Sequence, residues 1–422
     1  MSTTADPGST TPTRGTNAIG RLAGWGPRRP VVAGCTVAVI GFVVLVLRRP
    51  SAVNDPGLYA EDGVIFLLES LRDGAGAIFH PYNGYVHLLP RLIAAVSSFL
   101  PLGWTPVVYS AATGMASVGA CTMLLSRRFE RLLAPYAARV ALVALLVLLP
   151  RLTEVHLALN SVLWWCGVAL LLTALADDPA TTAGRVSEVA VTIVAVLSGL
   201  AGVVLAPIAA TRWLRTRSRH SLIVVGAWWG GAVAQLAVYA TQDRQNGSVP
   251  IGTPLARAAI EKTFGALALG RPAVDEHWRG GTPTIVLVLL GLVAVVWAVI
   301  TIEGTAWLVW APIGWTIAAA TVAGFLALGP SAAALPDRYT VLPTAALLIG
   351  LVAARPRSRA LRAAQLALLV VVVVLRVSDY VVPARPTTGW EHSIECLDHV
   401  RRTCVVPLNP DGWTLTLPPG LR

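Results

Sequence analysis

Two adjacent carboxylic acids, Glu61 and Asp62, stand in the densest polar cluster of the sequence. They lie in a polar stretch, 48–85, that follows the first apolar run of the chain. Paired carboxylates in such a loop suit a general base, which must be ionised and close to an acceptor hydroxyl group. The alternative is that both side chains only keep the loop hydrated.

A second polar group, rich in aromatic and histidine side chains, directly precedes the next apolar run and includes Tyr82 and Tyr85. If a helix begins near Val86, His87 and Arg91 lie four residues apart and share one face. An arginine one turn inside an apolar span is unfavourable in lipid and usually faces a cavity or a partner. It could instead extend its guanidinium group to the membrane surface.

A third polar group lies farther along the chain, next to a pair of tryptophans at 164–165. Its residues Glu154, His156 and Asn160 could line a pocket for a polar ligand, with one tryptophan stacked on a ring face of that ligand. The tryptophan pair could equally belong to the interfacial belt of a membrane protein.

Arg338 and Tyr339 lie in the segment that precedes the apolar run beginning at 340. A guanidinium group can donate paired, charge-assisted hydrogen bonds to an anionic ligand, which makes Arg338 a candidate binding residue. The alternative is a surface ion pair between Asp337 and Arg338, with Tyr339 at the membrane interface.

The sequence contains no clear metal or nucleotide motif. The acidic and histidine triplet at 275–277 has no second cluster of ligands, which favours a solvated loop. No phosphate-binding glycine loop, Walker motif or dinucleotide fingerprint is present, which argues against nucleotide-driven transport by this chain alone. The sequence therefore requires no cofactor, and the use of a divalent metal ion stays open.

Long apolar runs separate these polar groups. The chain is 55% hydrophobic and only 13% charged, with a mean hydropathy of +0.66, and the runs 31–47, 283–301 and 304–328 contain no charged residue. Because a bilayer core needs roughly 20 apolar residues as a helix, the pattern predicts an all-α polytopic membrane protein with about ten or eleven transmembrane helices between 31 and 382. The net charge of +11 comes from short basic clusters between spans, the pattern of inner-leaflet anchoring and not of nucleic-acid binding.

Arginine clusters predict the orientation of the chain in the plasma membrane. The clusters at 212–220 and 355–362 belong in the cytoplasm by the positive-inside rule. Counting spans from them makes 48–85 the first extracytoplasmic loop and places the tail, 383–422, outside as well. Residues 1–30, rich in Ser, Thr, Pro and Gly, are predicted to form a disordered cytoplasmic N-terminus.

The orientation of the middle of the chain stays open. The apolar pattern predicts spans at about 86–102, 104–125, 135–150, 160–176 and 186–210. If each is a single crossing, Arg127, Arg128 and Arg131 face outward, against the positive-inside rule. A broken or re-entrant helix near 198–202 would reverse this section.

The tail combines a cysteine pair with a β pattern. Cys396 and Cys404 lie eight positions apart in polar sequence, and an extracytoplasmic location favours a disulfide between them. A Pro-Asp-Gly turn beside alternating Thr and Leu residues predicts a small β element at 405–417.

The order of these features resembles the GT-C glycosyltransferases, integral membrane enzymes that take sugars from polyprenyl-phosphate donors. The shared features are an acidic residue soon after the first span, a predicted surface helix at 64–71 and an aromatic, His/Pro-rich stretch before the next apolar run. The resemblance implies that an acidic residue of the first outer loop acts as the base or orients the acceptor. By position that role falls on Asp62, with Glu61 and Asp55 as rivals. The Arg-Tyr pair at 338–339 resembles the element in which an arginine contacts the donor phosphate.

The resemblance implies an inverting transfer of sugar from a polyprenyl-phosphate donor to an extracytoplasmic glycan or lipid acceptor. Asp62 would then activate the acceptor, while Arg91 and Arg338 would stabilise the charge that develops on the leaving phosphate. A rival hypothesis is a transporter or flippase of lipid-linked envelope precursors, which predicts charges deep within several spans and paired interrupted helices. Polar residues collected at the outer ends of the spans favour surface chemistry. A non-catalytic membrane scaffold is the third hypothesis.

Overall fold

The structure is a computed structural model. It describes residues 29–149, 152–241, 307–328, 337–356, 358–374, 377–398 and 403–419. The predictions for residues 1–28, for the triplet at 275–277 and for the apolar run at 283–301 lie outside the described residues. The described residues are mostly helical, at 72%, in agreement with the predicted all-α class.

The regular elements of the described residues follow one another along the chain. The helices are α1 (Pro30–Arg48), α2 (Ser51–Asn54), α3 (Leu68–Asp73), α4 (Leu88–Ser97), α5 (Thr105–Thr122), α6 (Tyr136–Val147), α7 (Val162–Leu175), α8 (Thr182–Val196), α9 (Ala201–Val204), α10 (Ala206–Thr216), α11 (Arg219–Ala240), α12 (Trp307–Leu328), α13 (Val341–Ala353), α14 (Arg359–Val374) and α15 (Trp390–Asp398). A π-helical segment, Asp62–Leu67, leads into α3. Short 3-10 turns occupy Gly74–Phe79, Leu102–Trp104, Met123–Leu125, Arg127–Phe129, Leu159–Ser161, Asp337–Thr340 and Val377–Tyr380. The strands β1 (Cys404–Pro407) and β2 (Thr414–Leu417) form an antiparallel pair.

Three helices among the described residues are long and apolar enough to cross a membrane: Pro30–Arg48, Leu102–Leu125 and Arg219–Ala240. The first begins at a proline, whose fixed φ suits the first turn of a helix. It also exposes large apolar side chains, such as Val31 at 77%, which a membrane accommodates better than water does. The number of membrane crossings stays a prediction.

Basic residues from separate segments meet at one end of the helix bundle. Buried Glu188 accepts hydrogen bonds from Arg212 at 2.6 and 2.8 Å, and it also pairs with Arg128. Arg355 donates to the main-chain oxygen of Arg131 at 2.7 Å. We call this region the arginine end, and it comprises residues 126–131, 177–181, 212–220 and 354–359. The arginines that follow α5 therefore lie beside the two clusters that were predicted to be cytoplasmic.

The predicted span at 186–210 is broken in the structure. After α8 the chain turns at 197–200, where the main-chain oxygen of Leu197 accepts a hydrogen bond from the N–H of Leu88 at 3.0 Å. The chain then returns through α9 and α10 to the arginine end. A Cβ atom at Gly202 would lie 2.8 Å from the main chain of Val196, so the two arms need a glycine for their close approach. The single-span prediction is therefore wrong, and the broken-helix alternative fits.

The predicted span at 86–102 is also different in the structure. Only ten residues, those of α4, are α-helical there. Ten residues of α-helix extend for about 15 Å, roughly half of a bilayer core. The chain beyond α4 stays beside the tail, because the indole nitrogen of Trp390 donates to the main-chain oxygen of Gly103 at 3.2 Å. The candidate span of this region is therefore Leu102–Leu125, which contains α5 and leads to the arginine end.

The opposite end of the bundle, which we call the acidic end, comprises residues 49–104, 152–161, 337–340, 377–398 and 403–417. It has its own small core, in which Leu58, Phe66, Leu102 and Trp390 are all buried. The tail contributes the predicted β element, with Cys404 opposite Leu417 in register. The structure joins Cys396 and Cys404 in a disulfide, at the positions where the sequence predicts one.

Candidate functional site

Asp62 lies at the start of the π-helical segment and is only 2% exposed. One carboxylate oxygen accepts the main-chain N–H of Leu159 at 3.0 Å, and the other accepts that of Asn160 at 2.7 Å. These two N–H groups begin a 3-10 turn and therefore have no partner within it. Asp62 thus ties the first outer loop to the segment that carries Glu154 and Asn160.

Burial raises the pKa of Asp62 to about 7, although its two main-chain donors and the nearby Arg385 act to lower it. A carboxylate that leaves water loses hydration of its charged form, which two neutral N–H groups restore only in part. Asp62 is therefore a carboxylate with unusual affinity for a proton, held out of contact with solvent.

Glu61 is the accessible member of the carboxylate pair. Its side chain is half-buried, and one of its oxygens accepts a hydrogen bond from the amide of Asn160 at 2.8 Å. Half-buried Tyr82 lies close to it, and burial together with the Glu61 charge raises the pKa of the Tyr82 hydroxyl group. Glu61 therefore faces a polar surface and not the core.

A second pair of charges borders the same surface. The guanidinium group of Arg338 lies 3.3 Å from a carboxylate oxygen of Glu154, and each side chain keeps about a third of its exposure, at 35% and 33%. The ring of Tyr339 packs edge-on against Trp164, with 5.1 Å between the ring centroids. Because Arg338 and Glu154 are both partly open to solvent, Arg338 can exchange Glu154 for an incoming anion at modest cost.

Sequence reasoning missed Arg385, which the tail brings to this surface. Its guanidinium group lies 4.5 Å from the ring centroid of Tyr59, and it donates to the main-chain oxygen of His156 at 3.2 Å. Its Nε is buried and has no hydrogen-bond partner among the described residues. The available signal was an arginine in a tail predicted to be outside, where the positive-inside rule disfavours it.

Two further arginines, at the end of α1, hold the loop that carries Glu154. Arg48 donates to the main-chain oxygens of Val147 and Leu149, both at 2.7 Å. Arg49 donates to the main-chain oxygen of His156 at 2.8 Å. Arginines that satisfy buried carbonyl groups in this way have a structural role. They explain why basic residues lie at the acidic end.

Some of the predicted site residues lie apart from the carboxylate pair. The imidazole of His156 is buried and hydrogen-bonds to the main-chain oxygen of Leu45 at 2.8 Å, so it supports α1. His87 stacks on Tyr85, with ring centroids 4.2 Å apart, and packs against the ring of Tyr82 at 5.7 Å. The rings of His87 and Tyr85 therefore lie beside Tyr82, whereas His156 lies against α1.

Arg91 is 1% exposed, which excludes the alternative in which its guanidinium group extends to the surface. It pairs with Glu69 at 2.9 Å and lies 5.5 Å from the ring centroid of Phe66. Its Nε and one Nη are buried without a hydrogen-bond partner among the described residues. An ion pair of this kind is difficult to open, so Arg91 stabilises the loop in the structure as it stands.

The described residues contain no group of three or more His, Cys, Asp or Glu side chains that could hold a metal ion. Comparison of the chain with protein-family models, with curated proteins and with solved structures gives no match. The chemistry of the site must therefore be argued from the side chains themselves. They are a carboxylate pair, two arginines and a rim of tyrosine, tryptophan and asparagine.

Proposed function

We propose that the protein is a membrane glycosyltransferase of GT-C type, which moves a sugar from a polyprenyl-phosphate donor to a glycan or lipid acceptor outside the membrane. The observation that carries the proposal is the meeting of two carboxylates and two arginines at the acidic end. A base and phosphate-binding cations are the groups that such a transfer needs. Separate segments supply them: 61–62, 154–160, 338–339 and 385.

The proposed orientation places the acidic end outside the plasma membrane and the arginine end in the cytoplasm. It is supported by the positive-inside rule, since the arginines after α5, after α10 and after α13 then share the cytoplasmic side. The exceptions among the described residues are six arginines at or next to the acidic end. Arg48, Arg49 and Arg385 donate to main-chain oxygens of that end. Arg72, Arg91 and Arg338 pair with its carboxylates. Their positions reflect those bonds and not the orientation.

In the proposed mechanism, Glu61 takes the proton of the acceptor hydroxyl group. The freed oxygen attacks the anomeric carbon, the bond from that carbon to the phosphate oxygen breaks, and the lipid phosphate leaves with the electron pair. Attack opposite the leaving group inverts the anomeric centre. Glu61 is more accessible than Asp62 and is therefore the proposed base. Its position in the sequence had made Asp62 the first candidate. Asp62 is then a positioning residue, and its high pKa keeps it as the rival base.

The departing phosphate gains negative charge, and cations placed beforehand around it lower the barrier. Arg338 is the proposed main contact, because its partner Glu154 is half-exposed and can be displaced. Arg385 is the proposed second contact, since its Nε is still without a partner. The aromatic rim formed by Tyr82, Tyr339 and Trp164 is suited to stack on the sugar.

One observation favours the rival hypothesis of a transporter or flippase. The interrupted helix of α8, α9 and α10 is the kind of element that transporters use at their binding sites. Its charges lie at the arginine end, however, because Glu188 is paired with Arg212 there. At the tip of the hairpin Ser198 is buried, and its hydroxyl group accepts from the N–H of Leu89 at 2.9 Å and donates to the main-chain oxygen of Val194 at 2.6 Å. These contacts favour a structural turn.

The decisive assay uses the purified full chain in proteoliposomes, with radiolabelled polyprenyl-phosphate sugars and cell-envelope acceptor. Label that moves to the acceptor only when the chain is present is the expected result. Labelled lipid that crosses the bilayer without transfer would instead support the transporter. Neither transfer nor crossing, with protein of normal fold, would leave the scaffold hypothesis.

A further inference from the structure

A groove opens near the arginine end, between α6, α13 and α14. Its volume is about 540 Å³, within the range of roughly 300–1,000 Å³ that is usual for ligand pockets. The walls are apolar and include Ala138, Ala141 and Leu145 of α6 and Leu369 of α14. The apolar faces of α6 and α14 therefore leave an open space between them.

Helix α14 is held over this groove by few polar contacts. The amide of Gln365 donates to the main-chain oxygens of Leu351 and Ala354, at 2.6 and 3.1 Å. The next residue, Leu366, lines the groove and is 62% exposed, and Val370 one turn later is 60% exposed. An apolar occupant would cover this exposed surface.

The mouth of the groove is basic. Arg355 and Arg362 both line it, and both side chains are exposed. One Nη of Arg355 donates to the main-chain oxygen of Arg131 at 2.7 Å, which fixes the direction of its guanidinium group. Among the described residues, neither arginine of the mouth pairs with a carboxylate. An apolar groove with two uncompensated cations at its mouth is complementary to an anionic amphiphile.

We propose that this groove binds an anionic membrane phospholipid, with an acyl chain against α6 and the phosphate headgroup between Arg355 and Arg362. Basic pockets between transmembrane helices on the cytoplasmic side bind such headgroups, because the phosphate meets fixed cations beside a hydrocarbon slot. The proposal depends on the membrane orientation given above. It does not depend on sugar transfer, which takes place at the other end of the bundle.

The test is retention of lipid by the purified full chain, measured by native mass spectrometry after mixing with dioleoyl phosphatidylglycerol or dioleoyl phosphatidylcholine. Phosphatidylglycerol should be retained preferentially. Loss of Arg355 or Arg362 should weaken the retention of phosphatidylglycerol about fivefold, the effect expected of one cation near an anionic headgroup. The variants are Arg355→Gln, Arg362→Gln and the double variant. Arg219→Gln, an exposed arginine of the same end outside the groove, is the matched control.

Arg362→Gln is the safer variant, because Arg355 also holds the segment at Arg131. A second pair of variants tests the slot. Ala141→Phe should fill the groove and lower retention of phosphatidylglycerol, whereas Ala144→Phe, exposed on the same helix but outside the groove, should not. Equal retention of the two lipids would overturn the proposal. So would an Arg362→Gln variant that behaves like Arg219→Gln. Neither readout requires turnover, so failure here leaves the transferase proposal intact.

Discussion

Among the described residues, each end of the bundle buries one carboxylate, and the two carboxylates are compensated differently. At the arginine end, Glu188 is 5% exposed and meets full positive charges, with Arg212 at 2.6 and 2.8 Å. At the acidic end, Asp62 is 2% exposed and meets only the neutral main-chain N–H groups of Leu159 and Asn160 as hydrogen-bond donors.

The difference separates structural charge from chemically useful charge. A carboxylate enclosed by arginines is fixed in its ionised form, and removing it leaves buried cations without compensation. Burial raises the pKa of Asp62 to about 7, because its neutral donors restore only part of the hydration that its charged form loses. The arginine end therefore holds helices together, and the acidic end provides the environment in which a proton can move. The following predictions test this contrast.

The largest expected effect is on catalysis at the acidic end. Glu61→Gln keeps the shape and the contact with Asn160 but removes the base, so the transfer rate should fall by roughly 10²–10⁴. The thermal midpoint should stay unchanged, because Glu61 is half-buried and bonded at the surface. Single-turnover transfer from radiolabelled donor measures the rate, and a melting curve in detergent checks the fold.

Asp62→Asn is the companion variant, and it should lower both rate and thermal midpoint. One of its two side-chain groups becomes an NH₂ that faces the N–H of Leu159 or Asn160, so a hydrogen bond is lost. A full rate in Glu61→Gln together with a slow but stable Asp62→Asn would move the base to Asp62. Full activity in both variants and in the double variant would rule out a carboxylate mechanism.

At the arginine end the same kind of change should affect stability. Glu188→Gln leaves Arg212 with a neutral partner on that side, and breaking a buried pair costs about 3–5 kcal/mol. Glu130→Gln is the control, because Glu130 is 52% exposed and 3.7 Å from Arg139, an arrangement that contributes at most about 1 kcal/mol. Thermal or denaturant midpoints measure both variants. Equal losses would show that burial of the pair does not matter.

The disulfide of the tail should support the acidic end alone. Cys396 and Cys404 enclose a short loop, and the bond should contribute about 2–3 kcal/mol to the local stability of the tail. Mass spectrometry without reduction should find the linked peptide, and two free thiols would contradict the prediction. In Cys396→Ser, proteolysis of the tail should become faster, whereas the rate of proteolysis at the arginine end should not change.

Stability should also respond to pH at the acidic end. Because the pKa of Asp62 is raised from 3.8 to about 7, the folded protein binds this proton more tightly than the unfolded chain. The stabilisation is complete below about pH 4 and is lost as the pH rises through 7, at up to about 1.4 kcal/mol per pH unit. Melting of wild type and Asp62→Asn between pH 4 and 8 measures it. Parallel curves would mean that Asp62 does not titrate in this range.

The smallest effect is expected from the cysteine substitutions that test the orientation, which should leave transfer activity unchanged. In a Cys35→Ser background, cysteines at the exposed positions 54 and 384 should react with an impermeant maleimide in intact cells. Cysteines at the exposed positions 131 and 358 should react only after permeabilisation. Labelling of position 131 from outside would contradict the assignment of the arginine end to the cytoplasm.

The sequence led to two compensating errors in the middle of the chain. The apolar pattern predicts one crossing at 86–102, where the structure has the short helix α4. It predicts another at 186–210, where the structure has a hairpin. The two differences cancel in the count, so the predicted sides of 48–85 and 212–220 do not depend on them. They affect only the section between, whose orientation the sequence left open. With a hairpin in place of one span, Arg128 and Arg131 lie at the same end of the bundle as 212–220, which agrees with the positive-inside rule.

The sequence by itself determined the helical class, the apolar runs, the cysteine pair and the polar groups of the acidic end. These depend on local composition and spacing, because a span needs only length and hydrophobicity. Tertiary structure decided which polar side chain is accessible. Glu61 and Asp62 are neighbours of like chemistry, and only the docking of the turn at 159–161 buries one and leaves the other at the surface. Arg385 reaches the site for the same reason, since its contact with Tyr59 joins segments more than 300 residues apart. Such long-range contacts leave no period in the sequence, so local patterns could not predict them.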